Sequence, residues 1–485
     1  MPGYLYEFLE GRGELLGNLY LFGRRVIESP VAVIDASNVI DELEKALQVH
    51  AANQRDIEYL FGYVRGKQPI LQRTKDVRPE ICNKVAANHA YEILSFKKGH
   101  VFGDAVQYVK RGEGSSDGIN MLNDLMLLEE KSAQDLVLAD DYFTCGVAYR
   151  MALPGGQAFE IDVLDPRYTF VVYNSGFKKR PLMGVTFSKD IDGNNQYSVY
   201  TPQIYFLIKE TPSGLAIDTQ KGNAVGMIPI IEYAAPQRMG AFEPAIPLLD
   251  AINSVLSNRL DGLEQHVQSF LKFINCDIDL ETFKKLKMEG AIKVTSVDGM
   301  NADVDLITSE LSQSETQVLV DSIYSAALII CGVPNRHGAT KSTSDTGQAV
   351  MLRDGWGDAE SRAREVELLF KKSEREFLKV ILRIIDGMGP FRGQKLKSLK
   401  LEDIEIKFTR NRTDNFLVKT QGLQNLVESN VVHPRIALRT CGLFSDPEIV
   451  WEESEEWCKK YFSPSKQTPA NNKPNPKEGG WVDGG

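Results

Sequence analysis

At 485 residues, 42% hydrophobic and 25% charged, the chain has enough material for two or three domains and excludes wholesale disorder. Its formal charge of -10 argues against an open basic surface that grips nucleic acid by neutralising phosphates, though not against a protein that touches DNA without holding it. No run approaches the ~18 apolar residues of a membrane helix, and the opening "MPGYLYEFLEGRGELLG" lacks the organisation of a signal peptide.

Residues 1–242 read as mixed α and β. Helical periodicity over 41–66 should stop at Gly66. A second helix within 78–103 runs into a strand, "HVFGDAVQYVK", and a third covers 119–146. Strands "VAYRMAL" and "QAFEIDVLD" flank a Pro-Gly-Gly turn, and a hairpin meander turns at Asp192-Gly193. From Glu243 the character changes. Apolar residues recur at three- and four-residue spacing from Leu248 to Phe270, so one long helix is expected over 243–274. A compact insert follows, with strands "AIKVTSV" and "ADVDLIT", too short to be stable as an isolated hairpin and suited to pairing across subunits. A second long helix covers 314–332. A third, from about Thr346 to Met388, should kink at "DGWGD", where Gly355 and Gly357 cost ~1 kcal/mol each relative to alanine. A strand at 403–411, helices at 415–429 and 446–462, and a Pro/Asn/Lys/Gly-rich tail at 463–485, expected to be disordered, complete the chain.

Enzyme motifs are absent. The six cysteines (Cys82, Cys145, Cys276, Cys331, Cys441, Cys458) form no CxxC pair and suit reduced, buried thiols. There is no HExxH, and His89 and His100 have no second ligand at helical spacing, so neither metal nor cofactor is expected. "GATKS" (338–342) resembles a phosphate loop, which needs G-x-x-x-x-G-K-[ST] between a strand and a helix. Here Thr340 precedes Lys341, position 335 is Asn, and the preceding segment has helical periodicity.

Three stretches, in order, resemble the portal proteins of tailed bacteriophages, in the family typified by a Bacillus siphophage portal. They are "YLFGYVRGKQPILQR" (59–73) with "EICNKVAANHAYEILSFKKGHVFGDAVQY" (80–108), then "FEPAIPLLDAINSVLSNRLDGLEQHVQSFLKFINC" (242–276), then "CGVPNRHGATKSTSDTGQAVMLR" (331–353). In the third, Thr346 replaces the family's usual Ser. The resemblance implies an α+β, ring-forming portal fold, usually dodecameric, at one capsid vertex of the virion. Its parts would be a mixed α/β wing (1–242, with strand 403–411 returning to it), a first stem helix (243–276), a clip (277–312), a second stem helix (313–334), a tunnel loop (335–346), a long kinked helix returning to the wing (347–402) and a helical crown (412–462). It implies as partners double-stranded DNA passing without sequence specificity, a large terminase motor, a head-tail adaptor, and capsid and scaffolding proteins, with assembly in the bacterial cytoplasm and no membrane. Another head-assembly protein of the virion is the alternative, and a nucleotide-dependent enzyme is a weaker one.

Residue chemistry fits this mapping at three points. From Glu243 to Gly332 there are 14 Asp/Glu and 6 Lys/Arg, a net of -8. A channel lined this way, with Asp250, Asp261, Glu264, Glu310, Glu315 and Asp321 as candidates, repels phosphates so that DNA slides; a solvated acidic face explains the composition equally well. The loop offers Asn335, Arg336, Lys341, Ser342, Thr343 and Ser344 to a phosphate backbone, with no aromatic to stack on bases; Arg336 could instead cap the carbonyl end of the preceding helix. Gly355 and Gly357 would let the long helix bend as the loop moves.

Overall fold

The computed structural model describes residues 23–111, 116–267, 270–274, 303–307, 313–335, 355–387, 399–409, 416–429, 431–441, 443–444 and 447–462. In chain order the elements are β1 (Ile27–Ser29), α1 (Val39–Val64), α2 (His89–Phe102), β2 (Gln107–Lys110), α3 (Asp117–Leu128), α4 (Lys131–Cys145), β3 (Val147–Gly155), β4 (Ala158–Leu164), β5 (Thr169–Asn174), β6 (Pro181–Lys189), β7 (Asn195–Tyr200), β8 (Ile204–Thr211), β9 (Gly214–Gly222) and β10 (Ile230–Ala234). They continue as α5 (Ile246–Val267), β11 (Phe270–Ile274), β12 (Asp303–Ile307), α6 (Gln313–Cys331), α7 (Trp356–Gly387), β13 (Ile404–Lys407), α8 (Phe416–Glu428), α9 (Pro434–Cys441) and α10 (Pro447–Phe462). The α+β class stands.

Strands β1-β5-β6-β7-β8-β9 form one sheet, antiparallel except for the β1–β5 pair. A second sheet has the order β10-β3-β4, and β13 returns some 300 residues along the chain to pair with β2. Two apolar cores result, and α1 belongs to both. Its first half buries Val39, Leu43 and Ala46 against the six-stranded sheet. Its second half buries Ile57, Leu60 and Tyr63 in the larger core, which α2, α4, β3, β10 and α7 also line. Apolar burial on both halves holds a 26-residue helix that propensity alone would leave marginal. The helix stops where the sequence says: Gly66 takes φ +90°, and the Gly66 and Lys67 amides donate to Tyr63 and Gly62 carbonyls at 3.0 and 2.9 Å.

The structure departs from the sequence reading in three places. The helix expected over 119–146 is two, because Glu130 adopts a left-handed conformation (φ 52°) between α3 and α4. The restart turns Lys131 and Asp135 of α4 into the core while Leu127 and Leu128 remain exposed. The helix expected over 243–274 is a short 3-10 turn at Glu243–Ala245 followed by α5, which ends at Val267. Phe270–Ile274 is instead a strand, and it pairs antiparallel with β12 in the same chain, Phe270 opposite Ile307 and Ile274 opposite Asp303. A short apolar run such as "FLKFI" has no periodicity to separate helix end from strand, and the β12 hydrogen bonds decide it. The partner of "ADVDLIT" is therefore residues 270–274; "AIKVTSV" lies outside the described residues. Strand β1 and helix α9 carried no signal that the sequence reading used.

The chain divides into two compact units, 1–410 and 411–485. In the second, α8, α9 and α10 follow one another, with His433 and Trp451 rings 5.7 Å apart.

Candidate functional site

Helices α5 and α6 lie side by side, and an Arg259 guanidinium on α5 donates to Gln317 Oε1 of α6 at 2.7 Å. One face of α5 is fixed by polar residues four apart. Asn253 Oδ1 accepts from the Ala87 amide at 2.9 Å, Ser257 Oγ from the Val85 amide at 3.0 Å, and Asp261 Oδ1 from the Asn83 amide at 2.7 Å. The match is geometric: four residues of helix rise ~6.0 Å and two residues of extended chain ~6.6 Å, so every second amide of segment 83–87 meets the next turn. The ends of the clamp are reinforced. Asn253 Nδ2 donates to Gln68 Oε1 at 2.6 Å, and Asp261 carries ion pairs to Arg73 (2.9 Å) and Lys75 (2.5 Å). Burial pushes the Asp261 carboxyl up, but Lys75, the Asn83 amide and Arg73 outweigh it and hold its pKa below the ordinary carboxylate range.

The acidic candidates thus separate. Asp261 is buried and doubly paired, so its charge is spent inside the chain. Asp250 accepts from the Tyr63 hydroxyl at 2.8 Å and is half-buried. Glu264, Glu315 and Asp321 are exposed, with Asp321 accepting from Gln317 at 2.7 Å. Glu310 lies outside the described residues.

The outer face of α6 exposes several large apolar side chains beside Glu315 and Ser322. Val318 is 68% and Ile329 66% exposed, with Leu319 and Ile330 beside them, and Leu260 and Leu263 are exposed on α5. Val318 and Ile329 are eleven residues apart, three turns, and so share one face. At the end of α6, Gly332 (φ +63°) closes the helix, with the Gly332 and Val333 amides donating to Ile329 and Leu328 carbonyls at 3.0 and 2.9 Å. Among the described residues, Arg362 of α7 donates to the Ile330 carbonyl at this end at 2.8 Å. Asn335 follows, its side-chain Nδ2 donating to Ser325 Oγ at 2.9 Å. Arg336, Lys341, Ser342, Thr343 and Ser344 lie outside the described residues. Gly355, left-handed at φ +84°, immediately precedes α7, and Gly357 stands in its first turn. The element before the loop is a helix, so the strand that a phosphate loop requires is missing.

Away from these helices, α7 is locked to the sheet by a buried charge cluster that the sequence reading missed. Glu374 pairs with Lys131 at 2.8 Å and accepts from the Tyr108 and Tyr233 hydroxyls; Asp135 pairs with Lys131 and Arg150. Two cations and two anions balance. Burial alone would raise the Glu374 pKa, but Lys131 and Arg150 outweigh it and bring it to about 2. A second cluster joins Glu232 to Arg238 through two bonds (2.8 and 2.9 Å) and to the Tyr149 and Tyr173 hydroxyls. A third ties Arg24 to Glu243 at 2.6 Å. Among the described residues there is no group of His, Cys, Asp and Glu able to hold a metal, and no helix long and apolar enough to cross a membrane.

The family model described as phage portal protein, SPP1 Gp6-like, matches residues 43–461. No curated protein matches. Among solved structures, a chain of the "neck of empty GTA particle computed with C6 symmetry" is similar over 74% of this chain and 91% of its own, at 12% identity and a TM-score of 0.39.

Proposed function

We propose that this chain, which belongs to the phage portal protein family, assembles into a ring at one vertex of the capsid and forms the channel through which double-stranded DNA is packaged and ejected. The family match over residues 43–461 carries the reading. The ring is built from a dozen copies, is a structural component of the virion with no catalytic role, and docks the large terminase motor and later the head-tail adaptor. Capsid and scaffolding proteins surround it.

In this reading residues 1–242 with the β13 return form the wing, α5 and α6 the stem, and the segment between them, which includes β11 and β12, the clip. Residues 335–346 are the tunnel loop, and α8, α9 and α10 the crown. The exposed apolar face of α6 supports stem packing between subunits, since a lone chain leaves Val318, Leu319, Ile329 and Ile330 in water. Glu264, Glu315 and Asp321 are the exposed acids proposed to repel a phosphate backbone, with Asp250 and Glu310 secondary, and Asp261 instead holds α5 against segment 83–87. Arg336, Lys341 and the Ser342–Ser344 hydroxyls meet DNA phosphates weakly and without reading sequence, and Gly355 and Gly357 are the hinge on which α7 and the loop move.

Sedimentation and negative-stain imaging of the purified chain test this reading. A ring of about twelve subunits with a central hole is expected; a stable monomer or dimer at every salt concentration contradicts it.

A further inference from the structure

A groove of about 890 Å³ runs between α7 and the two sheets. Its floor is apolar, with Pro181, Pro202, Met227 and Ile228 among the lining residues. Its rim is cationic. Lys178 and Arg180 stand on the β5–β6 loop, and Lys372 faces them from α7. All three are exposed and have no ion-pair partner among the described residues, whereas the neighbouring Lys179 and Lys379 are paired with Glu28 and Glu376. Glu232, the other acid in the lining, is consumed by Arg238 and two tyrosine hydroxyls. Three unneutralised cations around an apolar floor, in a chain of net charge -10, call for a ligand that is both acidic and apolar. The groove is a cleft of side-chain dimensions, which suits a peptide rather than a ~20 Å-wide duplex.

The chain itself supplies such a segment, and it begins at the mouth. Gly23 is packed so closely on the turn Pro236–Arg238 that an added Cβ would lie 2.1 Å from the Gln237 carbonyl oxygen. The Arg24 amide donates to the Arg238 carbonyl, and Arg238 Nε donates back to the Arg24 carbonyl, both at 2.9 Å. Gln237 and Arg238 both line the groove and both hold left-handed backbone conformations (φ 55° and 58°), a strained turn fixed where residue 23 enters. Residues 1–22, "MPGYLYEFLEGRGELLGNLYLF", contain three glutamates and one arginine among many Leu, Phe and Tyr. Glu7, Glu10 and Glu14 recur at three- and four-residue spacing, with Leu5, Phe8, Leu9, Leu16 and Leu19 between and beyond them. Extended, 22 residues reach up to ~75 Å, far more than the groove needs.

We propose that this groove is the docking site for the chain's own N-terminal segment, residues 1–22, with its apolar residues on the floor and its glutamates at Lys178, Arg180 and Lys372. The docking is independent of the channel reading and binds the two ends of the first 240 residues to α7.

The test is photocrosslinking in the full-length chain. A benzophenone amino acid replaces Met227 on the groove floor, the purified protein is irradiated, and the products are separated by denaturing gel and mapped by mass spectrometry. A monomer-sized product joining position 227 to a peptide from residues 1–22 is expected. Charge reversal by Lys178→Glu with Lys372→Glu should cut its yield roughly fivefold or more, and adding Glu7→Lys with Glu10→Lys should restore it, with thermal melting unchanged throughout. A crosslink only to other peptides, a dimer-sized product, or a yield indifferent to both charge swaps overturns the proposal.

Discussion

The sheet-and-α7 body and the α5–α6 pair handle their side chains in opposite ways. In the first, three buried acids, Glu374, Glu232 and Glu243, each meet a cation and further donors within the chain. In the second, one face is clamped to segment 83–87 and the other presents Val318, Leu319, Ile329 and Ile330 to water. The contrast is one of where the side chains are satisfied: the first region pairs its buried charges within the chain, and the second leaves large apolar side chains in water.

The largest way to break this contrast is Glu374→Gln. It leaves two buried cations, Lys131 and Arg150, sharing the single carboxylate of Asp135, and removing one partner of a buried ion pair costs ~3–5 kcal/mol. Thermal melting should fall sharply, and a melting point near wild type would show that the cluster is not what fixes α7. Val318→Asp probes the other side. The isolated chain should melt almost as before, because the position is exposed, while ring formation weakens by ~1.5–3 kcal/mol for each contact losing a buried apolar side chain. Sedimentation separates the two effects, and rings of undiminished stability would remove α6 from the subunit interface.

A smaller effect sharpens the first half of the comparison. Asp141 of α4 is half-buried and has no ion pair among the described residues. Burial, with Asp165 and Asp140 nearby, pushes its pKa from 3.8 to about 8, against the pull of Arg167 and Arg65. The sign follows from a folded-state pKa above the unfolded one. The folded chain holds an extra proton, so this stabilisation is complete below about pH 4 and is lost as pH rises to about 8. Asp141→Asn should flatten that slope, a difference on the order of 1–2 kcal/mol between pH 5 and 8 after solvent screening. Identical pH profiles of melting for the two proteins would contradict the assignment. The smallest effect belongs to Lys341→Ala. One weak phosphate contact per subunit should alter the DNA packaged per capsid by a few-fold at most, and unchanged packaging would remove Lys341 from the channel account while leaving the ring intact.

Local order was legible in the sequence, and distant pairing was not. The 3.6-residue period gave α1 nearly to its ends, with Gly66 closing it as anticipated. The hairpin at Asp192-Gly193 was equally plain, Gly193 adopting φ +86°. The break at Glu130 escaped because a left-handed glutamate carries no glycine or proline signal; it exists to aim Lys131 and Asp135 at a cluster. That cluster joins Asp135 and Lys131 to Glu374, far along the chain, and no spacing rule reaches so far. Asp261 illustrates the same point. Counting acids placed it with Glu264 as a free charge, yet four residues of helix rise against two of extended chain put it on the Asn83 amide. The Asn253-x-x-x-Ser257-x-x-x-Asp261 spacing was not used in the sequence reading, and nothing in residues 83–87 marks them as its partner segment. Loop residues 336–344 lie outside the described residues, so their assignment rests on the family pattern alone.

The most direct measurement is a cryo-electron microscopy map of the assembled full-length chain. A closed ring whose central channel is bounded by residues 246–267 and 313–331, with the apolar face of α6 against the next subunit, is the result expected. A particle without a through-channel, or one in which these two helices face the outer rim, would contradict the central claim.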